Sequence, residues 1–457
     1  MFDSFRQRLA SVRQCHSLYF AGLLSSVTIQ EAFGKATDLL NSAHIYTTAV
    51  TLWTFLSQVL SQNHSCEFAV TKLIAFRLAQ GKKACSSQTG AYCLARDKLD
   101  EDGMQRLVTD TGKQIEATTP VEWRWLGHRV VVADGTTITM PDTPANQEEY
   151  PQQKAQKPGC GFPIIRCVVL FALASGTVLE MAFGKYRGKQ SAEINLLRQI
   201  ADVLQVHDIF LGDRAYSGWF NLARLMRRGV QVVVRKCHSR KTNFRDGIRL
   251  GKDDHAVQWK KPDQYRSAMG MTREEYDSFP EFITIREIRI RVTQRGFRTC
   301  EIIVATSLMD HRKYTHDELA RLFLQRWQAE LNLRSLKQVL QMDHLRCLEP
   351  HRVRNELRAH LLAYNLVRQV MCEAALRGGG QPWHLSFKGT LTKLTELLPS
   401  IGTVANSDAL CDVILDCCLQ HEVGHRFGRY EPRLVKRRPK RYKFIHKPRR
   451  DYQTGEA

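Results

Sequence analysis

The period of the apolar residues changes along the chain. Up to about residue 110 they recur at helical spacing, as in YTTAVTLWTFLSQVL and CEFAVTKLIAFRLAQ, followed by a polar break at GKKACSSQTG and a further helical stretch, AYCLARDKL. Helix, short Gly/Ser turn, helix suits a DNA-reading helix-turn-helix and also any helical bundle, with the bundle favoured on pattern alone. From residue 128 the apolar runs become short and β-branched: HRVVVADGTTITMP, IIRCVVLFALASG, TVLEMAFGKY, HDIFLGDRAY and GVQVVVRKC, each bounded by Gly, Pro or Asp. These read as strands. The first three are joined by gaps too short for a crossover helix, apart from a polar loop at 142–160, and so predict an antiparallel meander.

Between the third and fourth runs, KQSAEINLLRQIADVLQV has helical period, and SGWFNLARLMRRG does so between the fourth and fifth. Three antiparallel strands, then helix–strand–helix–strand, is the order of a ribonuclease-H-like mixed sheet. Residues 236–300 turn polar and then β-rich, which predicts an insertion. Helices follow over 316–340 and 351–377, then a Gly-rich break at RGGGQP, more helix and a tail. The expected fold is α/β: a ribonuclease-H-like mixed-sheet core interrupted by a β-rich insertion, with helical N- and C-terminal regions. The expected divisions are a helical, DNA-binding N-terminal region at 1–115, the first part of the core at 116–235, the insertion at 236–306, a helix completing the core at 307–345, a helical region at 346–430 and a basic tail at 431–457.

Composition adds a partner class. In 457 residues, 67 Lys and Arg stand against 46 Asp and Glu, a net charge of +21, and such a surplus favours a polyanion, nucleic acid foremost. A basic membrane-surface protein competes on charge, but no apolar run approaches the ~18 residues of a spanning helix. The thirteen cysteines are odd in number, lie scattered in apolar segments and form no C-x-x-C pair, which points to buried thiols in a reducing cytosol rather than to disulfides or a zinc site. The N-terminus, MFDSFRQRLASVRQC, lacks the layout of an export signal.

Three carboxylates are placed unlike the rest. Asp134 and Asp213 each stand where an apolar strand runs out, in VVVADGTTI and IFLGDRAY. An acid so placed is desolvated on one side and costly unless neutral, hydrogen-bonded or bound to a cation, and ligands of open sheets gather at strand ends. The third is Glu330, in FLQRWQAELNLRSLKQ, where Arg326, Glu330, Arg334 and Lys337 recur at intervals of three and four on one helical stripe. A solvated surface helix with an ion pair such as Glu330 with Arg334 would explain that stripe alone, at about 0.2–0.5 kcal/mol. With two strand-end acids upstream, a lone carboxylate flanked by cations also suits a metal ligand beside phosphate contacts.

Taken together, these motifs resemble bacterial insertion-sequence DDE transposases of the insertion-sequence-four type, over about residues 40 to 445. The family signature is Tyr, two residues, Arg, three residues, Glu, six residues, Lys. Phe323, Arg326, Glu330 and Lys337 stand at those spacings, with Phe in place of Tyr. ADGTTITMPDT and LGDRAYSG match the two aspartate motifs, and ELRAHLLAYNLVR and VKRRPKRY also look like the family. The resemblance implies that Asp134, Asp213 and Glu330 form a catalytic triad holding two Mg²⁺ or Mn²⁺ ions, and that Arg326 and Lys337, with Phe323 and Arg334 beside them, contact DNA. Phe323 keeps a ring but loses the tyrosine hydroxyl.

In relatives the β-rich insertion helps shape the transposon end and a tryptophan can stack on a flipped base. Trp259, beside Lys260 and Lys261, is the candidate here, against the alternative of a Trp packed in the insertion's own core. The tail from Arg433 to Arg450 holds ten Lys and Arg and no acid, and Lys436, Arg437 and Arg438 are candidates for contact with the DNA backbone. The function implied is cut-and-paste transposition of an insertion sequence. The partners implied are double-stranded DNA, as terminal inverted repeats and target, and a second copy of the chain in the synaptic complex, in the bacterial cytoplasm near the nucleoid. Two alternatives stand beside it: a purely hydrolytic ribonuclease-H-like nuclease, and a domesticated DNA-binding protein without activity.

Overall fold

The computed structural model describes residues 24–34, 44–79, 81–188, 191–265, 271–291, 301–398, 407–423, 445–448 and 451–452. Lys436, Arg437 and Arg438 lie outside these residues. The chain divides into two compact units: a helical one built from the N-terminal 123 residues, Ala174–Glu180 and Leu331–Gly424, and a sheet-based one built from Arg124–Leu173, Met181–Glu330 and the C-terminal segment from His425.

In the helical unit, helices α1 (Ser26–Phe33), α2 (Thr48–Leu60), α3 (Cys66–Ala79), α4 (Gly90–Asp97) and α5 (Glu101–Ala117) come from the N-terminal region. A 29-residue helix, Pro350–Gly378, is their scaffold; Pro350 opens it and Gly379, at φ 67°, closes it in the left-handed conformation. Arg354 and Arg358 on that helix both bind Glu101 at 2.7 Å. Its YNLVR segment grips the turn that enters the sheet. Tyr364 Oη donates to the Gly176 carbonyl at 2.8 Å, Asn365 Oδ1 accepts from the Val178 amide at 2.8 Å, and Arg368 Nε donates to the Ser175 carbonyl at 2.9 Å. The N- and C-terminal helical regions, separate in the sequence, are therefore one unit, and this motif's Tyr, Asn and Arg are structural.

Among the described residues the sheet has nine strands, in the order β3-β2-β1-β4-β5-β9-β8-β7-β6. β1 (Val130–Thr139) pairs antiparallel with β2 (Ile164–Ala172) along its whole length, and β3 (Val178–Lys185) lies beyond β2. β4 (Ile209–Gly212) and β5 (Gln231–Arg235) join in parallel with β1. The β2 and β4 runs are buried almost throughout, as strands covered on both faces must be. The helix Glu193–Ile200 crosses from β3 to β4 on buried Leu196, Leu197 and Ile200, and Trp219–Arg227 crosses from β4 to β5 on Trp219, Phe220, Leu222 and Leu225. This is a ribonuclease-H-like mixed sheet, as expected.

The inserted strands do not form a sheet of their own. β9 (Glu301–Thr306) pairs antiparallel with β5, and β8 (Phe282–Arg291), β7 (Asp254–Lys260) and β6 (Ile248–Gly251) continue outward by antiparallel pairing. Arg286, fully buried, ties this extension with two bonds to Asp254 at 2.8 and 2.6 Å and one to the Tyr314 carbonyl at 2.7 Å.

Candidate active site

Asp134 departs from its expected place. It is not at a strand end but inside β1, opposite Val169 of β2. The apolar run ends there because parallel pairing with β4 stops at Val132, whereas pairing with β2 carries the strand on to Thr139. Asp134 accepts a hydrogen bond from the Gly135 amide at 2.9 Å. Burial is the main cause that pushes its carboxyl up to about 6; the Gly135 amide and Arg326 oppose the rise, and Glu330 and Glu193 add to it. Asp213 is where the sequence placed it, directly after β4, opening the 3₁₀ turn Arg214–Tyr216.

Glu330 sits on the helix Trp327–Arg334, which follows His316–Gln325 after a single tightened residue, Arg326. The amide of Arg326 bonds to Phe323 and that of Ala329 to Arg326, both at i→i+3 spacing. The Arg326 guanidinium holds Glu330 Oε1 at 2.7 Å, while Arg334 is turned to Gln338 Oε1 at 3.0 Å. The ion pair is thus with Arg326 rather than Arg334. Lys337 lies in a π-turn, Ser335–Val339, within the helical unit. Such widened turns inside helices often mark functional sites.

Two expected DNA contacts are not on the surface. Phe323 is 4% exposed, so its ring packs in the core. Trp259 is 2% exposed: its indole N–H donates to Glu287 at 2.9 Å, its carbonyl accepts from Trp219 at 2.8 Å, and Arg240 covers its ring at 4.5 Å. A buried, fully engaged indole is the packed tryptophan of the insertion rather than a stacking platform. Lys260 is exposed and pairs with Asp263 at 2.9 Å.

Five other residues emerge at the site. Trp327 is 45% exposed, beside Arg326 on the helix that carries Glu330. Arg214 and Arg326 both crowd Arg235, whose guanidinium burial and these cations hold below its usual range while Asp213 opposes them. Glu193 opens the helix Glu193–Ile200 and reaches the backbone of Gly135. Tyr216, 1% exposed, points its hydroxyl at Glu193 Oε2 at 3.5 Å. Burial, then Glu193, Asp134 and Asp213, hold its phenol well above the usual range. Trp327 was legible as the one aromatic inside the stripe; Glu193 carries no signal without the fold.

Among the described residues, no three His, Cys, Asp or Glu side chains stand close enough together to hold a metal ion as they are. The donor set nevertheless fits a hard divalent cation, which takes carboxylate oxygens. Asp134 is a desolvated carboxylate whose charged form a cation would stabilise, and Glu330, the expected third acid, is held by Arg326.

The strand order, the acids on β1 and after β4, and the third acid on the helix following the inserted strands define the class as a DDE transposase on a ribonuclease-H-like core. A family model described as the transposase DDE domain matches residues 125–366, a span holding all three acids, and the chain belongs to that family of enzymes. It is similar to the transposase InsG for insertion sequence element IS4 of Escherichia coli (strain K12), with 28% identity over 362 residues, covering 77% of each chain. Against the cryo-EM structure of the piggyBac transposase synaptic complex with hairpin DNA, the TM-score is 0.40 at 9% identity, over 84% of this chain and 77% of that one, a likeness too slight to argue from.

Proposed function

We propose that this transposase cuts an insertion sequence free at its ends and joins those ends to target DNA, with Asp134, Asp213 and Glu330 holding two divalent ions, Mg²⁺ or Mn²⁺. The observation that carries the proposal is Asp134. Its carboxyl is driven up to about 6 by burial at the centre of the sheet, a cost that a bound cation offsets. When bound, two such ions would supply stabilisation of the charge that develops on the attacking and leaving oxygens of an in-line displacement at phosphorus.

The chain's own residues supply the rest. Arg326, now paired with Glu330 at 2.7 Å, exchanges that carboxylate for a DNA phosphate, which frees Glu330 to turn toward Asp134. Arg214 and Arg235 add cations beside Asp213. Trp327, half-exposed next to Arg326, is the aromatic free to stack on a base at the element end, the role first considered for Trp259. Phe323 acts by packing the helix. Double-stranded DNA is the partner, bound as terminal inverted repeats and target, and two copies of the chain hold the two ends. No helix among the described residues is long and apolar enough to cross a membrane.

The test uses a labelled duplex carrying the element's end, with wild type and D134N in Mg²⁺, Mn²⁺ or EDTA. Cleavage is expected only for wild type with a divalent ion, with D134N still shifting the duplex in a gel. Cleavage in EDTA, or undiminished cleavage by D134N, would refute the proposal.

A further inference from the structure

We propose that Glu193 is a fourth carboxylate of this centre, binding a divalent ion together with Asp134. The inference rests on the two-ion reading above and extends it to a residue outside the triad.

Glu193 is the first residue of the helix that crosses from β3 to β4. A glutamate there would gain from the helix dipole while pointing into water, and nothing in that role brings it to the sheet. Its carboxylate instead lies flat against β1: a Cβ built on Gly135 would stand 2.6 and 2.7 Å from its two oxygens. Gly135 follows Asp134 within a regular strand, paired with Val168, so it is not there for a turn. What the missing side chain provides is room for Glu193.

A second observation places Glu193 in the same neighbourhood as the aspartates. The Tyr216 hydroxyl lies 3.5 Å from Glu193 Oε2, and Glu193, Asp134 and Asp213 all bear electrostatically on that one phenol. Bringing a further acid up to a desolvated aspartate is unfavourable unless a cation lies between them. Glu330 is meanwhile engaged with Arg326 at 2.7 Å, which leaves Glu193 as the acid already beside Asp134. On this reading the Asp134-Gly135 pair works as a unit: the aspartate supplies one ligand and the glycine admits the next.

The test measures Mn²⁺ binding directly, by the electron paramagnetic resonance of free Mn²⁺ in titrations of full-length protein, with melting in EDTA as the folding control. E193Q is expected to weaken Mn²⁺ binding at least about tenfold, the lower end of what even outer-shell changes cost, and to melt in EDTA no lower than wild type. E193D keeps the charge at the helix start but is shorter by one methylene, and is expected not to restore the affinity. E193Q that binds Mn²⁺ as wild type does, or E193D that restores binding fully, overturns the inference. D134N separates the two levels. If D134N loses Mn²⁺ and E193Q does not, only the role of Glu193 falls; if neither loses it, the metal reading of the whole site falls.

Discussion

Asp134→Asn isolates the electrostatic cost built into the site. The Asp134 carboxyl stands at about 6 against a usual 3.8, with burial the main cause. At about 1.36 kcal/mol per pH unit, that difference amounts to about 3 kcal/mol. The sign follows from proton binding. The folded state holds the proton more tightly than the unfolded chain, so the stability Asp134 contributes is complete below pH 3.8 and is lost as pH rises through about 6. The asparagine of D134N keeps an oxygen for the Gly135 amide and has no proton to lose. In EDTA, wild type and D134N should therefore melt alike near pH 4, diverge between pH 4 and 6, and differ by a constant amount above, with D134N the more stable. At roughly 2–4 °C per kcal/mol for a unit of this size, the gap at pH 8 has an upper bound of about 6–12 °C. Saturating Mn²⁺ should raise the wild type and leave D134N unmoved. Differential scanning calorimetry at pH 4, 6 and 8 decides it. A D134N protein that melts below wild type at pH 8 in EDTA refutes the reasoning, because it would mean that the charged carboxylate is satisfied by the protein alone.

Other outcomes follow from the same structure. Glu287→Ala removes the acceptor of Lys236 at 3.1 Å, Thr242 at 2.6 Å and Trp259 at 2.9 Å; a stranded buried lysine should cost about 3–5 kcal/mol in urea unfolding, and a loss under 1 kcal/mol would contradict this network. Trp327→Ala should leave the melting temperature within a degree or two but weaken binding to element-end DNA by about 1–3 kcal/mol in fluorescence titration, whereas Trp259→Phe should do the reverse. His64 and His360, stacked at 5.7 Å, are held down by burial to about 4 and about 3. Both are neutral in the folded state while the unfolded chain takes up protons below 6.5, so the helical unit should lose stability as pH falls from 6.5 toward 4, and circular-dichroism melts of His360→Asn should show a shallower loss than wild type.

Sequence and structure agree where a local pattern decides the outcome. The IFLGD run places Asp213 correctly because four buried residues and a turn need no partner to be read. Asp134 is misplaced for the converse reason: where β1 ends depends on β2 and β4, and the two neighbours stop at different residues. The insertion looked separate because its join to the core is a long-range pairing, β5 with β9, with no trace in either strand alone. Trp259 has cationic neighbours in sequence, but its strand turns it inward, and period 2 in a sheet extension of unknown register could not tell which face that was. Glu193 illustrates the limit most sharply. Its helix was legible, and its approach to Gly135 arises only when that helix crosses β1.

The central claim is that three acids, one inside β1, one directly after β4 and one on the helix Trp327–Arg334, hold the ions with which the protein cuts and joins DNA. The most direct measurement incubates the protein with duplexes carrying the element's two ends and a supercoiled target plasmid in Mg²⁺, and sequences the products. Asp213→Asn and Glu330→Gln are run alongside wild type. The account predicts breaks at the element ends and joined products with short target duplications for wild type, and a loss on the order of 10³-fold for either variant, the several kcal/mol that a bound metal contributes. Joining that persists in both variants would contradict it.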